Sequence, residues 1–222
     1  MDVIVANPPF GGMEEDGIEN NFPQAFRTRE TADLFMALFI QLLKEGGRAA
    51  VVLPDGFLFG EGMKTRLKEK LLTECDLHTI VRLPNGVFNP YTSIKTNLLF
   101  FTKGRPTEAV WYYEHPYPEG YKSYSKTKPM RFEEFERERA WWGTEEDGFA
   151  DREETQYAWR VPVEEIQADS YNLDRKNPYA EEEEDHDPEE LLAKYEQQQA
   201  EIQELRDQLR TILGEALTSH ED

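Results

Sequence analysis

The sequence predicts an α/β fold, because strand-length apolar runs alternate with helix-length amphipathic runs over residues 1–106. Val3–Ala6, Arg48–Leu53, Leu77–Leu83 and Asn97–Thr102 are short, apolar and bounded by turn residues. Between them lie two stretches whose leucines recur at helical spacing. Such alternation points to a largely parallel sheet covered on both faces.

Val3 to Ala6 is the first strand, and it runs directly into Asn7-Pro8-Pro9-Phe10. A polar loop with Gly11, Gly12 and Gly17 follows. Thr31 to Lys44 reads as a helix, since Leu34, Leu38 and Leu42 fall four residues apart with Phe35 and Phe39 beside them. Glu45-Gly46-Gly47 supplies its stop, as glycine adopts the left-handed conformation at little cost. Arg48 to Leu53 is the second strand, ended by Pro54, and Glu61 to Leu72 is a second helix that buries Leu67 and Leu71. The third and fourth strands come next, and Lys103-Gly104-Arg105-Pro106 closes the unit at residues 1–106.

Residues 107–180 are an aromatic-rich continuation. Trp111, Tyr112, Tyr113, Tyr117, Tyr121 and Tyr124 are followed by Phe132, Phe135, Trp141, Trp142 and Trp159. Two readings stand. These rings pack short strands and turns onto the α/β unit, or, with Lys122, Lys126, Lys128 and Arg131 interleaved, they form a local nucleic-acid surface.

Residues 181–222 begin with an acidic linker, Glu181 to Asp187, whose charges repel one another. Asp187-Pro188-Glu189-Glu190 then starts a helix, with a capping aspartate, a first-turn proline and a closing glutamate. Tyr195, Ile202, Leu209 and Ala216 fall at one set of seven-residue intervals, and Leu191, Gln198, Leu205 and Ile212 make a second row. This narrow seam on a polar helix running to Leu217 suits coiled-coil association with a partner or a second copy, against the alternative of a solvated tail.

The bulk properties restrict function. The 222 residues carry 25 basic and 45 acidic side chains, a net charge of -20, which opposes unaided binding to nucleic acid. Cys75 has no cysteine partner for an intrachain disulfide or a cysteine-based zinc site, and His78, His115, His186 and His220 are too dispersed for a metal cluster. No apolar run approaches a membrane span and no signal segment is evident, so a cytoplasmic location is expected.

Ligands of doubly wound sheets sit beyond the carboxyl ends of strands, where Asn7 to Phe10 falls. The Asn7 side-chain oxygen and the Pro8 carbonyl are acceptors suited to an exocyclic amine, and two prolines hold them in place. Phe10 offers a flat face for a base taken out of its stack. A rigid proline turn without chemistry is the other reading of the same residues.

Asn-Pro-Pro-Phe resembles the catalytic motif of adenine-N6 DNA methyltransferases. The wider run resembles the modification (M) subunit of type I restriction–modification systems, through residues 6–12 (ANPPFGG), 32–62, 80–104 and Ser170 to Pro178. That resemblance implies a partial Rossmann-like methyltransferase sheet with a long C-terminal helix. It implies S-adenosylmethionine as methyl donor to adenine N6, Asn7 and Pro8 holding the amino group, and Phe10 stacking on the base. Pro9 would stiffen the turn, while Phe88 and Tyr91 would line the base pocket or else serve only loop packing. Its expected partners are a DNA-specificity subunit, a restriction subunit in the full complex, and DNA through that complex.

The chain departs from the family pattern at its front. Family members carry a helical domain, a glycine-containing cofactor motif and an acidic ribose-binding residue ahead of the catalytic strand, whereas here that strand begins at residue 2. Gly60-Glu61-Gly62 matches a later loop of the family and does not replace the cofactor motif. The expectation is therefore a truncated or split subunit that does not bind the cofactor alone and transfers methyl only with a separate N-terminal methyltransferase half. The alternative is a non-catalytic remnant acting as an assembly scaffold.

Overall fold

The computed structural model describes residues 1–180, together with 192, 195, 197–199, 202, 203 and 205–210. Residues 1–180 form one unit, and 181–222 form a second. The first contains six strands in a single sheet: β1 (Val3–Ala6), β2 (Arg48–Pro54), β3 (Cys75–Arg82), β4 (Thr96–Lys103), β5 (Ala109–Glu114) and β6 (Ala158–Pro162). Its α-helices are α1 (Thr31–Leu42), α2 (Asp55–Phe59), α3 (Met63–Glu74), α4 (Glu136–Trp141) and α5 (Val163–Ala168).

The strands run in the order β1-β2-β4-β3-β5-β6. β1 with β2 and β3 with β5 are parallel, but β4 is antiparallel to both its neighbours and β6 is antiparallel to β5. The sheet is thus mixed, which corrects the expectation of a largely parallel one. The cause is the link from β3 to β4, residues 83–95, which carries no crossover helix. Parallel neighbours need such a crossover, whereas antiparallel neighbours do not. β1, β2, β3 and β5 therefore point their carboxyl ends to one end of the sheet, where β4 and β6 begin.

One face is closed by α1 and α3. Alternation along β2 buries Ala49, Val51 and Leu53, and their cluster includes Ile4, Leu99, Phe101, Met36, Ile40, Leu67 and Leu71. Helix α3 starts at Met63, two residues later than the sequence reading, because Gly62 occupies the left-handed region just before it. The chain turns into β2 at Gly47, where an added Cβ would lie 2.9 Å from the Met1 carbonyl oxygen. A side chain there would push the first strand away from its neighbour.

The other face is covered only in part. Val81, Leu83, Tyr113 and Ala158 pack with Leu98, Phe100, Trp141 and Trp142. The buried Arg152 fastens this layer: its guanidinium lies 3.8 Å from the centre of the Phe149 ring and donates to Thr79 Oγ1 at 2.8 Å. At β1 the cover stops. Val3 and Val5 are 56% and 81% exposed, beside an open groove of about 400 Å³ that also involves Ala50, Phe100 and Trp142. Double-sided coverage therefore holds at β3 but not at the first strand, because no described segment crosses there.

Two further features tie the sheet end together. Residues 170–178 return across it: Leu173 is fully buried, Tyr112 Oη donates to the Leu173 carbonyl at 3.0 Å, and Arg82 pairs with Asp174 at 2.6 Å. The Leu58 carbonyl, at the end of α2, accepts from Leu173 N–H at 3.0 Å and from Lys68 Nζ at 2.7 Å. Lys68 is 1% exposed and also donates to the Gly60 carbonyl at 2.9 Å.

In the C-terminal unit, the described residues Tyr195, Gln198, Ile202, Leu205 and Leu209 are helical and exposed. The acidic linker, the helix start at Asp187 to Glu190, and the seam positions Leu191, Ile212 and Ala216 lie outside the described residues. No helix among the described residues is long and apolar enough to cross a membrane.

Burial, reinforced by the Lys64 ammonium, pushes Lys68 down to about 8 from an ordinary value of 10.5. Between these values the unfolded chain binds more protons, so stability rises with pH. The contribution is complete above the unfolded value and is lost as pH falls through about 8. Chemical unfolding across that window should show the rise, and Lys68→Met should flatten it. Identical pH slopes for the two proteins would contradict the buried-ammonium assignment.

Candidate functional site

Asn7 leaves the sheet where the β1–β2 ladder ends, one residue past the Ala6↔Val51 pair. Its side chain is exposed, while Pro8 is buried and locks the backbone behind it. No described donor occupies the Asn7 side-chain oxygen or the Pro8 carbonyl. Two acceptors are therefore free side by side along the chain, at the carboxyl end of a strand paired on one side with β2.

Phe10 follows, partly buried, and Gly11 turns the chain with φ +66. The loop then docks on the start of α1, where Thr31 N–H donates to the Gly12 carbonyl at 3.0 Å. Further along that helix the buried Asp33 is paired with Lys64. Burial pushes the Asp33 carboxyl up from its ordinary value, against the pull of the Lys64 ammonium. This ion pair joins the first turns of α1 and α3, and so steadies the loop that carries Phe10.

The opposite wall comes from the β3–β4 link. Phe88 meets Phe10 edge-on, with ring centroids 5.4 Å apart and planes at 76°. The Phe88 turn is held by Asn89 Nδ2, which donates to the Tyr124 carbonyl at 3.2 Å, and by Tyr117 Oη, which donates to the Asn85 carbonyl at 2.9 Å. The structure thus brings Phe88 to the Asn7–Phe10 turn. It leaves Pro9 exposed and Tyr91 90% exposed, with no ring contact from Tyr91 to Phe10 or Phe88 among the described residues.

Sequence reasoning missed a buried polar pair at the neighbouring strand ends. Asn97 is fully buried at the start of β4, and its Nδ2 donates to Asp55 Oδ1 at 2.6 Å. Asp55 N–H in turn donates to the Lys95 carbonyl at 2.9 Å. These contacts pin the turn after β2 to the start of β4. The available signal was a polar residue at the edge of each apolar run, Asp55 after one and Asn97 before the other, which by itself does not distinguish a buried contact from a solvated loop.

The described residues thus set two unoccupied acceptors beside a pair of aromatic rings. Among the described residues β1 is the edge strand, and Val3 and Val5 stand exposed on the sheet face opposite Ile4.

Known proteins place this geometry in a family. The model of the N-6 DNA methylase family matches residues 1–187. The chain is 67% identical over 220 residues to the EcoEI type I restriction enzyme methylase subunit of Escherichia coli, covering 99% of this chain and 45% of that protein. It is 34% identical over 177 residues to the EcoKI methylase subunit of Escherichia coli strain K12, covering 76% of this chain and 32% of that one. A crystal structure of a modification subunit of a putative type I restriction enzyme from Vibrio vulnificus YJ016 aligns with a TM-score of 0.74 at 47% identity, over 83% of this chain and 40% of that one. The chain spans less than half the length of these relatives. With Asn-Pro-Pro-Phe at the end of a strand in a mixed α/β sheet, the chain belongs to the N-6 DNA methylase family and is a homologue of type I restriction–modification modification subunits.

Proposed function

We propose that this chain forms the target-adenine side of a type I modification methyltransferase, which transfers a methyl group to adenine N6 in DNA. The observation that carries this reading is the pair of unoccupied acceptors, Asn7 side-chain oxygen and Pro8 carbonyl, beside the Phe10–Phe88 ring pair. Accepting from both N–H bonds of the exocyclic amine raises electron density on its nitrogen and fixes the direction in which it reacts. Phe10 receives the face of the extruded base, and Phe88 closes the edge of that slot. No protein nucleophile is required, since alignment and local charge relief are what these groups provide.

S-adenosylmethionine, the donor in this family, would supply the methyl group. The free outer edge of β1 supports a site completed by a further part of the sheet, either covalently continuous with this chain or supplied by another chain. The reading includes a DNA-specificity subunit and a restriction subunit as partners, and a cytoplasmic setting. The exposed apolar positions Tyr195, Ile202 and Leu209 suit subunit contact. They also favour a second reading, in which the chain serves assembly without chemistry.

Asn7→Ala in the complete complex should lower methyl transfer to DNA by about 10²–10³-fold, with the mass of the assembly unchanged in light scattering. Transfer at the parental rate would eliminate the catalytic reading and leave the scaffold. Phe88→Ala should weaken binding to DNA bearing an unpaired adenine by about 1–3 kcal/mol, as expected for loss of a base-stacking wall. Equal affinities in a titration would place Phe88 outside the base slot.

A further inference from the structure

Charge near the site is distributed unlike that of the whole chain, whose net value is -20. Between His115 and Arg131 the charged residues are Lys122, Lys126, Lys128 and Arg131, with Glu119 as the only acid besides them. The three lysines are exposed, and none has a carboxylate within ion-pair distance among the described residues. Four other lysines are paired: Lys44 with Asp2 at 3.1 Å, Lys103 with Glu74 at 3.8 Å, and Lys64 and Lys70 also with acidic partners, while Lys95 and Lys176 stand alone in the chain without such a lysine cluster around them. An acidic chain that leaves these three cations unpaired keeps a local attraction for polyanions that its overall charge opposes.

The segment bearing them is shaped rather than loose. Tyr124 is 1% exposed, its hydroxyl is held by Glu134, and its ring lies 5.5 Å from Tyr117 and 6.0 Å from Tyr121. Ser125 and Lys128 close a tight turn through reciprocal backbone hydrogen bonds of 3.0 and 3.1 Å. The Lys128 ammonium sits 5.2 Å from the centre of the Tyr121 ring. Ser123, Ser125 and Thr127 alternate with the cations, adding hydroxyls of the type that hydrogen-bond phosphate.

This turn is fastened to the base site. Tyr117 and Tyr124 make the hydrogen bonds to Asn85 and from Asn89 that hold the Phe88 turn, and Phe88 touches Phe10. We propose that the Lys122–Lys128 turn grips backbone phosphates of the DNA strand whose adenine enters the Asn7–Phe10 site. The proposal rests on the adenine-site reading and names a second element that engages the same strand. Lysine point charges with neighbouring hydroxyls suit phosphate, and such contacts position a duplex without reading its sequence. Their placement beside the stacking rings favours a nucleic acid over an acidic peptide, because one strand meets both the cations and the rings.

The test is fluorescence anisotropy of the full chain with a short duplex carrying an adenine opposite an abasic site, titrated between about 20 and 200 mM salt. Replacing Lys122, Lys126 and Lys128 together by glutamine should weaken binding at the lowest salt at least about tenfold and reduce the log–log salt slope by about 2–3. Lys44→Gln, at an exposed but paired lysine, should leave the slope unchanged, and circular dichroism should show the triple variant folded. An unchanged slope in the triple variant, absence of salt-dependent binding by the parent chain, or stronger displacement by polyglutamate than by DNA of equal charge each overturns the proposal. No methyl donor is present in this measurement. A change in slope together with a fully active Asn7→Ala complex would refute the catalytic reading while leaving the phosphate grip in place.

Discussion

Among the described residues β1 is held from one side only, and the site depends on that single ladder. Its parallel register with β2, from Val3↔Arg48 to Ala6↔Val51, decides where Asn7 leaves the sheet and in which direction the Pro8 carbonyl points. Ile4, 7% exposed, fixes the register by reaching into the core between its two outward neighbours. A slip of one residue would put Val3 and Val5 into that core and turn Asn7 to the other face. The same strand is therefore well specified by pairing and poorly covered, with an apolar outer side and an unpaired edge. Such an edge attracts another strand unless something blocks it, and here nothing among the described residues does.

From this strand the supporting contacts spread along one end of the sheet. Asp33 and Lys64 brace the loop after Phe10, Asp55 and Asn97 pin the turn after β2, and Asn89 and Tyr117 hold the turn that presents Phe88. Residues 170–178 cross this end and meet Lys68 at the Leu58 carbonyl. A buried ammonium on a helix-end carbonyl is a costly contact, tolerated because leaving that carbonyl unsatisfied inside the core also costs free energy. The turns around the site thus share partners, so displacing one of them disturbs its neighbours.

Much of this was legible locally. The four strands of residues 1–106 and their two long helices follow from apolar spacing, with ends displaced by one or two residues where a turn or cap intervened. Asn7 to Phe10 was readable because strand, amide, prolines and ring are contiguous, so their chemistry is nearly independent of distant contacts. Phe88 and Tyr91 show the limit. They occupy one turn and have similar rings, yet one meets Phe10 and the other is 90% exposed. The lysines at 122, 126 and 128 were visible as a pattern, but sequence alone also allowed that the segment serves only to pack short strands and turns onto the α/β unit.

By itself, the sequence determined the α/β class, the contiguous amide, prolines and ring at residues 7–10, and the resemblance to type I modification subunits. These are properties of short contiguous stretches and of their order along the chain. Tertiary structure decided that β4 lies between β2 and β3, that β5 and β6 extend the same sheet, and that β1 remains at its edge. It also attached the lysine-bearing turn to the Phe88 wall through Tyr117 and Tyr124. Those outcomes rest on ladders and hydrogen bonds between residues far apart in the chain, whose choice among neighbours is set by closure of the whole core and not by local periodicity.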